Sequence, residues 1–322
     1  MTGLRSLLAL GIAGALALSA CGADTEELSD TDVEFADDEF ADDEFADDEF
    51  ADDEFADETE QILAELQEGG FCDPADVEDL GEVTAMHFVV GGQIQPPCFV
   101  DGGVENDPRL LDAWESMTSI TPTSLVSDVS LLAGFEACAT CDTLAFVSAL
   151  DEQGSFFLMA VDVVAGDADP DELRLTMQHE LAHVFSQVPD EQLIVGDDGE
   201  CATYFNGSGC FVEGSYVDQW IDQFWTAEML AELPDDGSPN DDEVAGERCS
   251  LDPAFTGSYG ATHPEEDFAE TYSAYVFGVT LDEAMDDKLA FFDQFPEFAE
   301  VRDNAAAAGL VDIPNNFDGC GF

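Results

Sequence analysis

Apolar and polar positions along the chain predict strands in its first half and helices in its second half. Runs that are apolar, or that alternate with polar residues as strands do, are Thr84–Val90, Leu144–Leu150 and Ser155–Val164. Apolar residues recur at helical spacing in Tyr216–Leu233, Pro264–Phe277, Leu281–Phe292 and Phe295–Ala308. Strands followed by helices favour an α+β domain with a mixed or antiparallel sheet.

One further helix is predicted with both of its ends. Asp169 and Pro170 are typical of an N-cap followed by proline at the first helical position. The stretch Gln187–Asp190, which contains Pro189, is expected to end the helix. The apolar residues that recur at helical spacing between these ends are Leu173, Met177, Leu181 and Val184. We expect this apolar face to be buried.

An acidic low-complexity segment, Asp24–Glu60, precedes the predicted domain. Its unit Glu-Phe-Ala-Asp-Asp places a phenylalanine every five residues, at Phe35, Phe40, Phe45, Phe50 and Phe55. A period of five gives neither a helical stripe nor one face of a strand, and the segment contains no cation. We therefore expect residues 21–60 to form a disordered tether and residues 61–322 to form one domain. A binding role for the spaced phenylalanines is the alternative.

The first residues predict export and a lipid anchor. Arg5 precedes the apolar stretch Leu7–Leu18, which is typical of a secretory signal comprising residues 1–20. The signal ends in Leu-Ser-Ala-Cys, which resembles the lipobox of bacterial lipoproteins, so Cys21 is expected to carry the lipid. Because Gly22 follows, we expect a location in the bacterial cell envelope, at the outer membrane or the cell surface. Ordinary secretion with soluble release is the alternative.

The cysteine count predicts disulfides. Setting Cys21 aside, the remaining eight cysteines are an even number in an exported chain and allow 105 pairings. Cys138 and Cys141 favour a local bridge, and Cys201 with Cys210 is a second short loop.

The sequence is strongly acidic. Its 75 Asp and Glu residues against 6 Lys and Arg give a formal net charge of −69 at pH 7. Proteins that bind nucleic acid or anionic lipid surfaces do so through basic residues. The charge therefore argues against nucleic acid as a partner, and it leaves the lipid on Cys21 as the expected contact with a membrane.

The most informative residues are His179, Glu180 and His183 in the helix that follows Asp169. Histidines four residues apart lie on one face of an α-helix, about one turn from each other. Zinc binds imidazole nitrogens that are aimed at one point, and an adjacent carboxylate can take a proton from a zinc-bound water. The pattern predicts a catalytic zinc site in which Glu180 is the base. Two unrelated histidines on one helix are the alternative.

A catalytic zinc site needs a third protein ligand, and the segment Ser258–Glu270 offers candidates. Thr262 and Glu265 have the spacing of a capping box, so we expect a helix to begin here. Glu266 and Glu270 would then be neighbours on one helical face. One would bind the metal, and the other would accept a hydrogen bond from a ligating histidine.

The two remaining histidines have less specific surroundings. His263 precedes Pro264 and is expected to be a surface N-cap, although His263 or Glu265 replaces Glu266 as ligand if the helix has a different register. His87 lies inside an apolar run and is expected to be structural.

The segments Asp169–Gln187 and Ser258–Gly278 resemble the gluzincin branch of the zincin metallopeptidases. The second segment is most similar to the catalytic domain of anthrax lethal factor, where Ser-Tyr-Gly precedes a helix with the pattern Glu-x-x-Ala-Glu. The resemblance implies that Glu266 is the third ligand, that Glu270 is the acid behind a ligating histidine, and that Tyr259 stabilises the oxyanion or assists the leaving group. It also implies a zincin-like fold.

These observations predict a lipid-anchored zinc endopeptidase that acts outside the cytoplasm, as a monomer with one Zn²⁺, on a peptide or protein substrate. The strand Ser155–Val161, just ahead of the zinc helix, is expected to be the sheet edge along which that substrate lies. One alternative is a surface binding or adhesion lipoprotein that keeps the metal helix as a structural element. Another is a zinc amidase that acts on cell-wall amides with the same residues. An intact Glu180 favours an enzyme, because a structural site needs no base.

Overall fold

A computed structural model describes most of the predicted domain and the end of the acidic segment. The described residues are 52–77, 79–102, 107–138, 141, 143–195, 201–234, 236–315, 317 and 320. Cys21, the predicted signal and the acidic segment up to residue 51 lie outside the described residues. No helix among those described is both long enough and apolar enough to cross a bilayer.

The centre of the fold is a five-stranded mixed sheet. Its strands are β1 (Gly81–Val90), β2 (Gln93–Val100), β3 (Val129–Ala137), β4 (Ala145–Ala149) and β5 (Phe157–Asp162). They lie in the order β2-β1-β3-β5-β4, with β3 and β5 parallel and the other neighbours antiparallel. A small two-stranded sheet pairs β6 (Gln192–Ile194) with β7 (Gly209–Phe211). The prediction of an α+β fold with a mixed sheet is confirmed.

Eleven α-helices are assigned over the described residues, besides the short 3-10 helices Pro74–Asp76 and Glu283–Met285. They are α1 (Asp52–Gly69), α2 (Pro108–Thr118), α3 (Thr123–Val126), α4 (Val163–Ala168), α5 (Pro170–Gln187), α6 (Tyr216–Phe224), α7 (Ala227–Leu230), α8 (Asp242–Leu251), α9 (Pro264–Val276), α10 (Asp286–Phe292) and α11 (Pro296–Ala307). Helices α5 and α9 pack against each other beside the sheet.

Strand order corrects one expectation about the sheet. Strand β5 lies between β3 and β4, and all six of its residues are buried, so the prediction that Ser155–Val161 forms the sheet edge is wrong. The edge on this side is β4. The predicted strand also ends earlier than expected, because Val163 and Val164 begin helix α4, for which Asp162 is the N-cap.

Helix α1 begins at Asp52, inside the segment predicted to be a disordered tether. For residues 52–60 that prediction is wrong, and the folded part of the chain starts before residue 61. Leu66 is completely buried, and Ile62 and Leu63 pack against the same cluster under the sheet. Once such an anchored turn exists, a helix extends readily into neighbouring Glu and Ala residues, because propagation costs far less than nucleation.

The helical half of the core is aromatic. Phe185 of α5 lies 5.1 Å from Tyr272 of α9 and 5.0 Å from Phe298 of α11, measured between ring centroids. Trp220 of α6 lies 5.6 Å from Phe268 of α9 with the rings almost perpendicular. Phe185 with Tyr272 and Trp220 with Phe268 meet edge to face, and such contacts add to the stabilisation from buried area. This cluster fixes α9 against α5, and so determines which residues of the two helices face each other.

Four disulfides join all eight cysteines that follow Cys21. They are Cys72–Cys98, Cys138–Cys141, Cys201–Cys210 and Cys249–Cys320. The predicted local bridges are therefore confirmed.

Candidate metal centre

The start and the end of helix α5 are both determined by neighbouring residues, and this fixes the positions of its two histidines on the helix. The Asp169 side chain accepts a hydrogen bond from the Glu172 amide at 3.1 Å, and Pro170 occupies the first turn. The helix ends at Gln187, just before Pro189. With this register, His179 and His183 lie on the same face, and their ring centroids are 4.8 Å apart.

Helix α9 begins at Pro264 as predicted, but its cap differs from the prediction. Its N-cap is His263 rather than Thr262, and the Thr262 hydroxyl donates instead to the Tyr259 carbonyl at 2.6 Å, so the predicted capping box is wrong. His263 is also buried rather than on the surface. Three acids follow Pro264 in the first turn, where the positive end of the helix favours negative charge.

Two histidines and one glutamate converge between α5 and α9. Glu266 Oε2 lies 2.9 Å from His179 Nε2 and 3.4 Å from His183 Nε2, and the two imidazole nitrogens are 3.1 Å apart. All three side chains are buried, and one ligand atom from each lies within 4.8 Å of the others. Two imidazoles and a carboxylate form a donor set that suits zinc. The cluster fits a metal ion, and the sequence predicted each of its members.

Charge and burial act in opposite directions in this cluster. Burial alone would raise the pKa of Glu266, but the His183 and His179 imidazoles outweigh it and hold that pKa well below its usual range. Burial also lowers the pKa of His179 despite the nearby Glu266. Burial would also lower the pKa of His183, but the Glu266 charge outweighs it and raises that pKa to about 9. Glu266 and His179 therefore have the protonation state of metal ligands without a metal, whereas His183 must lose a proton when a metal binds.

Glu180 lies at the partly exposed side of α5, next to the edge of the sheet. Its carboxylate accepts a hydrogen bond from the backbone amide of Val147 in β4. Burial raises the pKa of Glu180 to about 8, although His183 and the Val147 amide act in the opposite direction. The edge strand therefore reaches the predicted base. Val147 lies within the predicted strand Leu144–Leu150, but a backbone amide carries no sequence signal, so its contact with Glu180 could not be predicted.

Tyr259 is brought to the same place by the loop before α9. Its ring centroid is 5.9 Å from that of His179, and its hydroxyl lies near the Glu266 carboxylate. Burial, followed by the charges of Glu266 and Glu180, raises the pKa of Tyr259 well above its usual value. The phenol therefore keeps its proton and can act as a hydrogen-bond donor.

Glu270 lies one turn beyond Glu266 and is held by the same loop. Its Oε2 accepts a hydrogen bond from the Thr256 hydroxyl, a contact that nothing in the sequence marks. Gly260 passes so close that a Cβ there would lie 2.5 Å from this oxygen. The hydrogen bond from a ligating histidine to Glu270 stays a prediction.

The two alternative ligands lie outside the metal cluster. Glu265 is buried against Asn206, which donates to its carboxylate, and Glu265 Oε2 is 3.9 Å from His263 Nε2. His263 Nδ1 lies 3.1 Å from the Thr262 hydroxyl. Among the described residues, Glu266 is the acid of α9 that approaches the two α5 histidines. His87 is buried in β1 with its Nδ1 2.9 Å from the Gln95 carbonyl, as expected of a structural histidine.

Comparisons with known proteins add little to this geometry. No protein-family model matches the chain. No curated protein matches it either. Among solved structures, it is similar to a Bacteroides caccae ATCC 43185 protein described as a "putative zinc-binding metallo-peptidase", with 14% identity and a TM-score of 0.26 over 63% of this chain and 68% of that one. At that TM-score the likeness carries no argument, and the functional interpretation depends on the site alone.

Proposed function

We propose that the chain is a zinc-dependent peptidase with a zincin-like active site. The observation that carries the proposal is the convergence of His179, His183 and Glu266 within 4.8 Å, with Glu180 next to the first histidine. In this proposal the three converging side chains hold one Zn²⁺ per chain.

Each residue around the cluster has a role in hydrolysis. Bound zinc would supply a Lewis acid that polarises the scissile carbonyl and acidifies a water molecule. Glu180 accepts the proton of that water and passes it to the leaving amine. Tyr259, whose phenol stays protonated, donates a hydrogen bond to the developing oxyanion. Glu270 does not bind the metal; it accepts a hydrogen bond from a ligating histidine and thereby orients the imidazole ring.

Strand β4 supplies the surface for an extended substrate. It is the edge of the sheet, and its Val147 amide already contacts Glu180. A peptide that pairs with an exposed edge gains main-chain hydrogen bonds that do not depend on its sequence. We propose that the substrate chain pairs with β4 and thereby presents its scissile bond to Glu180.

We also propose that the enzyme is tethered outside the cytoplasm of a bacterium through a lipid on Cys21. The support for this is the lipobox-like sequence before Cys21 and the pairing of all later cysteines in disulfides. In this location the acidic segment would separate the catalytic domain from the bilayer.

The decisive experiment compares Glu180→Gln with the parent chain. Both proteins are loaded with zinc, assayed for metal content and incubated with a peptide library and with a denatured protein. We expect Glu180→Gln to keep about one zinc per chain and to lose peptide cleavage, because only the base is removed. Glu300→Gln, an exposed acid on α11, is the matched control and should cleave like the parent.

Three results would contradict the proposal. A parent chain that binds no zinc removes the metal site. A parent chain that binds zinc and cleaves cell-wall amides but no peptide is an amidase instead. A parent chain that binds zinc and hydrolyses neither substrate supports the binding or adhesion lipoprotein.

A further inference from the structure

Asp267, the residue after Glu266, forms a buried ion pair with Lys288. Asp267 is completely buried, and Lys288 of α10 places its Nζ 2.6 and 2.7 Å from the two carboxylate oxygens. Trp220 and Trp225 also donate their indole N–H groups to Asp267 Oδ2, at 3.0 and 2.9 Å. Both oxygens of this carboxylate are therefore occupied by donors from three positions of the chain outside α9.

The cation of this pair is enclosed as well. Lys288 Nζ lies 4.0 Å from the centroid of the Phe255 ring, 5.5 Å from that of Trp220 and 5.9 Å from that of Phe224. Aromatic faces attract a cation, and more so when the cation is withdrawn from water. Lys288 is held between a carboxylate on one side and aromatic rings on the other, and its side chain is 4% exposed.

Stability alone does not account for such a pair. Removing two charges from water costs several kcal/mol each, and a well-packed apolar pair of similar volume is often as stable or more stable. Cations are also scarce in this chain, with 6 Lys and Arg against 75 Asp and Glu. In some proteins a buried polar or ionic group specifies one geometry at a cost in stability, and that is the hypothesis for this pair.

The position of the pair connects that geometry to the metal centre. Consecutive residues of an α-helix point about 100° apart, so the direction of Asp267 determines the direction of Glu266. A rotation of α9 by about 10° would move a side-chain end that is about 6 Å from the helix axis by about 1 Å. That displacement exceeds the tolerance of about 0.5 Å within which a functional site must be held.

We propose that the Asp267–Lys288 pair is a positioning device, which fixes the rotation of α9 so that Glu266 points at His179 and His183. The inference rests on the proposed metal site. Asp267 and Lys288 contact neither metal nor substrate in this proposal, and they act only through Glu266.

The test replaces both charges at once. In the full-length chain, Asp267→Leu combined with Lys288→Met removes the charges and keeps most of the volume. We expect its metal-free form to unfold at a lower denaturant concentration than the parent, because Trp220 and Trp225 lose the acceptor of their indole N–H groups, although no unpaired charge is left buried. We expect its zinc affinity, measured by competition with a chelator, to fall about 10- to 100-fold, as for other residues that orient ligands. The visible spectrum of its cobalt-substituted form should also change, because the coordination geometry changes.

The matched control removes a cation of α11 that packs against the other end of α9. The Arg302 guanidinium lies 4.7 Å from the ring centroid of Tyr275 in α9 and also pairs with Asp293. Arg302→Met should leave zinc affinity and the cobalt spectrum unchanged, even if it lowers stability.

Zinc affinity and a cobalt spectrum equal to those of the parent in the double variant would overturn the positioning role. If that variant does not fold, Asp267→Asn with Lys288→Met is measured instead, since asparagine still accepts both indole hydrogen bonds, and the same results decide. A parent chain without zinc affinity contradicts the proposed function and this inference with it, whereas equal affinity in parent and variant contradicts the inference alone.

Discussion

Replacing Gly260 with alanine is expected to displace the Glu270 carboxylate by a steric clash. A Cβ at Gly260 would lie 2.5 Å from Glu270 Oε2 and 2.9 Å from Thr256 Oγ1. Both distances are too short for contact between a carbon and an oxygen, so the carboxylate or the loop must move. The carboxylate is the mobile partner, and when it moves it loses the hydrogen bond that it accepts from Thr256.

The size of the effect follows from two costs. A buried hydrogen bond to a charged group contributes about 1.5–3 kcal/mol, and an added methyl group in a packed site costs about 1–3 kcal/mol. Because movement of Glu270 relieves part of the clash, the two costs overlap. We expect Gly260→Ala to lower the free energy of unfolding of the metal-free chain by about 3 kcal/mol.

Denaturant unfolding of two Thr256 variants separates the loss of the Thr256–Glu270 hydrogen bond from the effect of the added methyl group. Thr256→Val removes the hydroxyl and should cost about 2 kcal/mol, whereas Thr256→Ser keeps the hydroxyl and should cost less than about 1 kcal/mol. Gly260→Ala combined with Thr256→Val should cost less than the sum of the single changes, because both act through Glu270. Strict additivity, or a Gly260→Ala variant within about 0.5 kcal/mol of the parent, would refute this reasoning.

Three further predictions concern the catalytic loop, the covalent framework and the anchor. Tyr259→Phe should keep zinc and reduce peptide turnover about 100-fold, because one donor to the oxyanion is lost, and a kcat equal to the parent's would remove its role. Cys249→Ser with Cys320→Ser opens a bridge of sequence separation 71 and should lower the free energy of unfolding by about 4 kcal/mol, with a loss below about 1 kcal/mol contradicting it. Cys21→Ser should abolish labelling by a clickable fatty acid in bacteria, and acylation that persists would contradict the anchor.

Residues of the site that belong to one helix could be predicted from the sequence. Helix α5 has its cap, its proline and its apolar spacing within a short stretch, so His179, Glu180 and His183 follow from local pattern alone. Glu266 is different, because its place depends on where α9 begins. The cap expected there was wrong, since Thr262 bonds the Tyr259 carbonyl, yet the helix begins at Pro264 as expected.

Contacts between distant segments could not be predicted. Strand β3 is buried along most of its length, so it lacks the alternation that marks a strand with one exposed face. Strand β2 is an edge strand that contains Pro96 and Pro97, which weaken its strand pattern. The order of the strands, and with it the contact between Val147 and Glu180, arises only when the sheet assembles. The same holds for Asp267 and Lys288, which lie on different helices.

Anomalous scattering at the zinc edge, from crystals of the zinc-loaded chain, tests the central claim most directly. We expect one peak per chain, about 2.0–2.2 Å from His179 Nε2, His183 Nε2 and a carboxylate oxygen of Glu266. A peak beside His263 or Glu265, or no peak between α5 and α9, would contradict it.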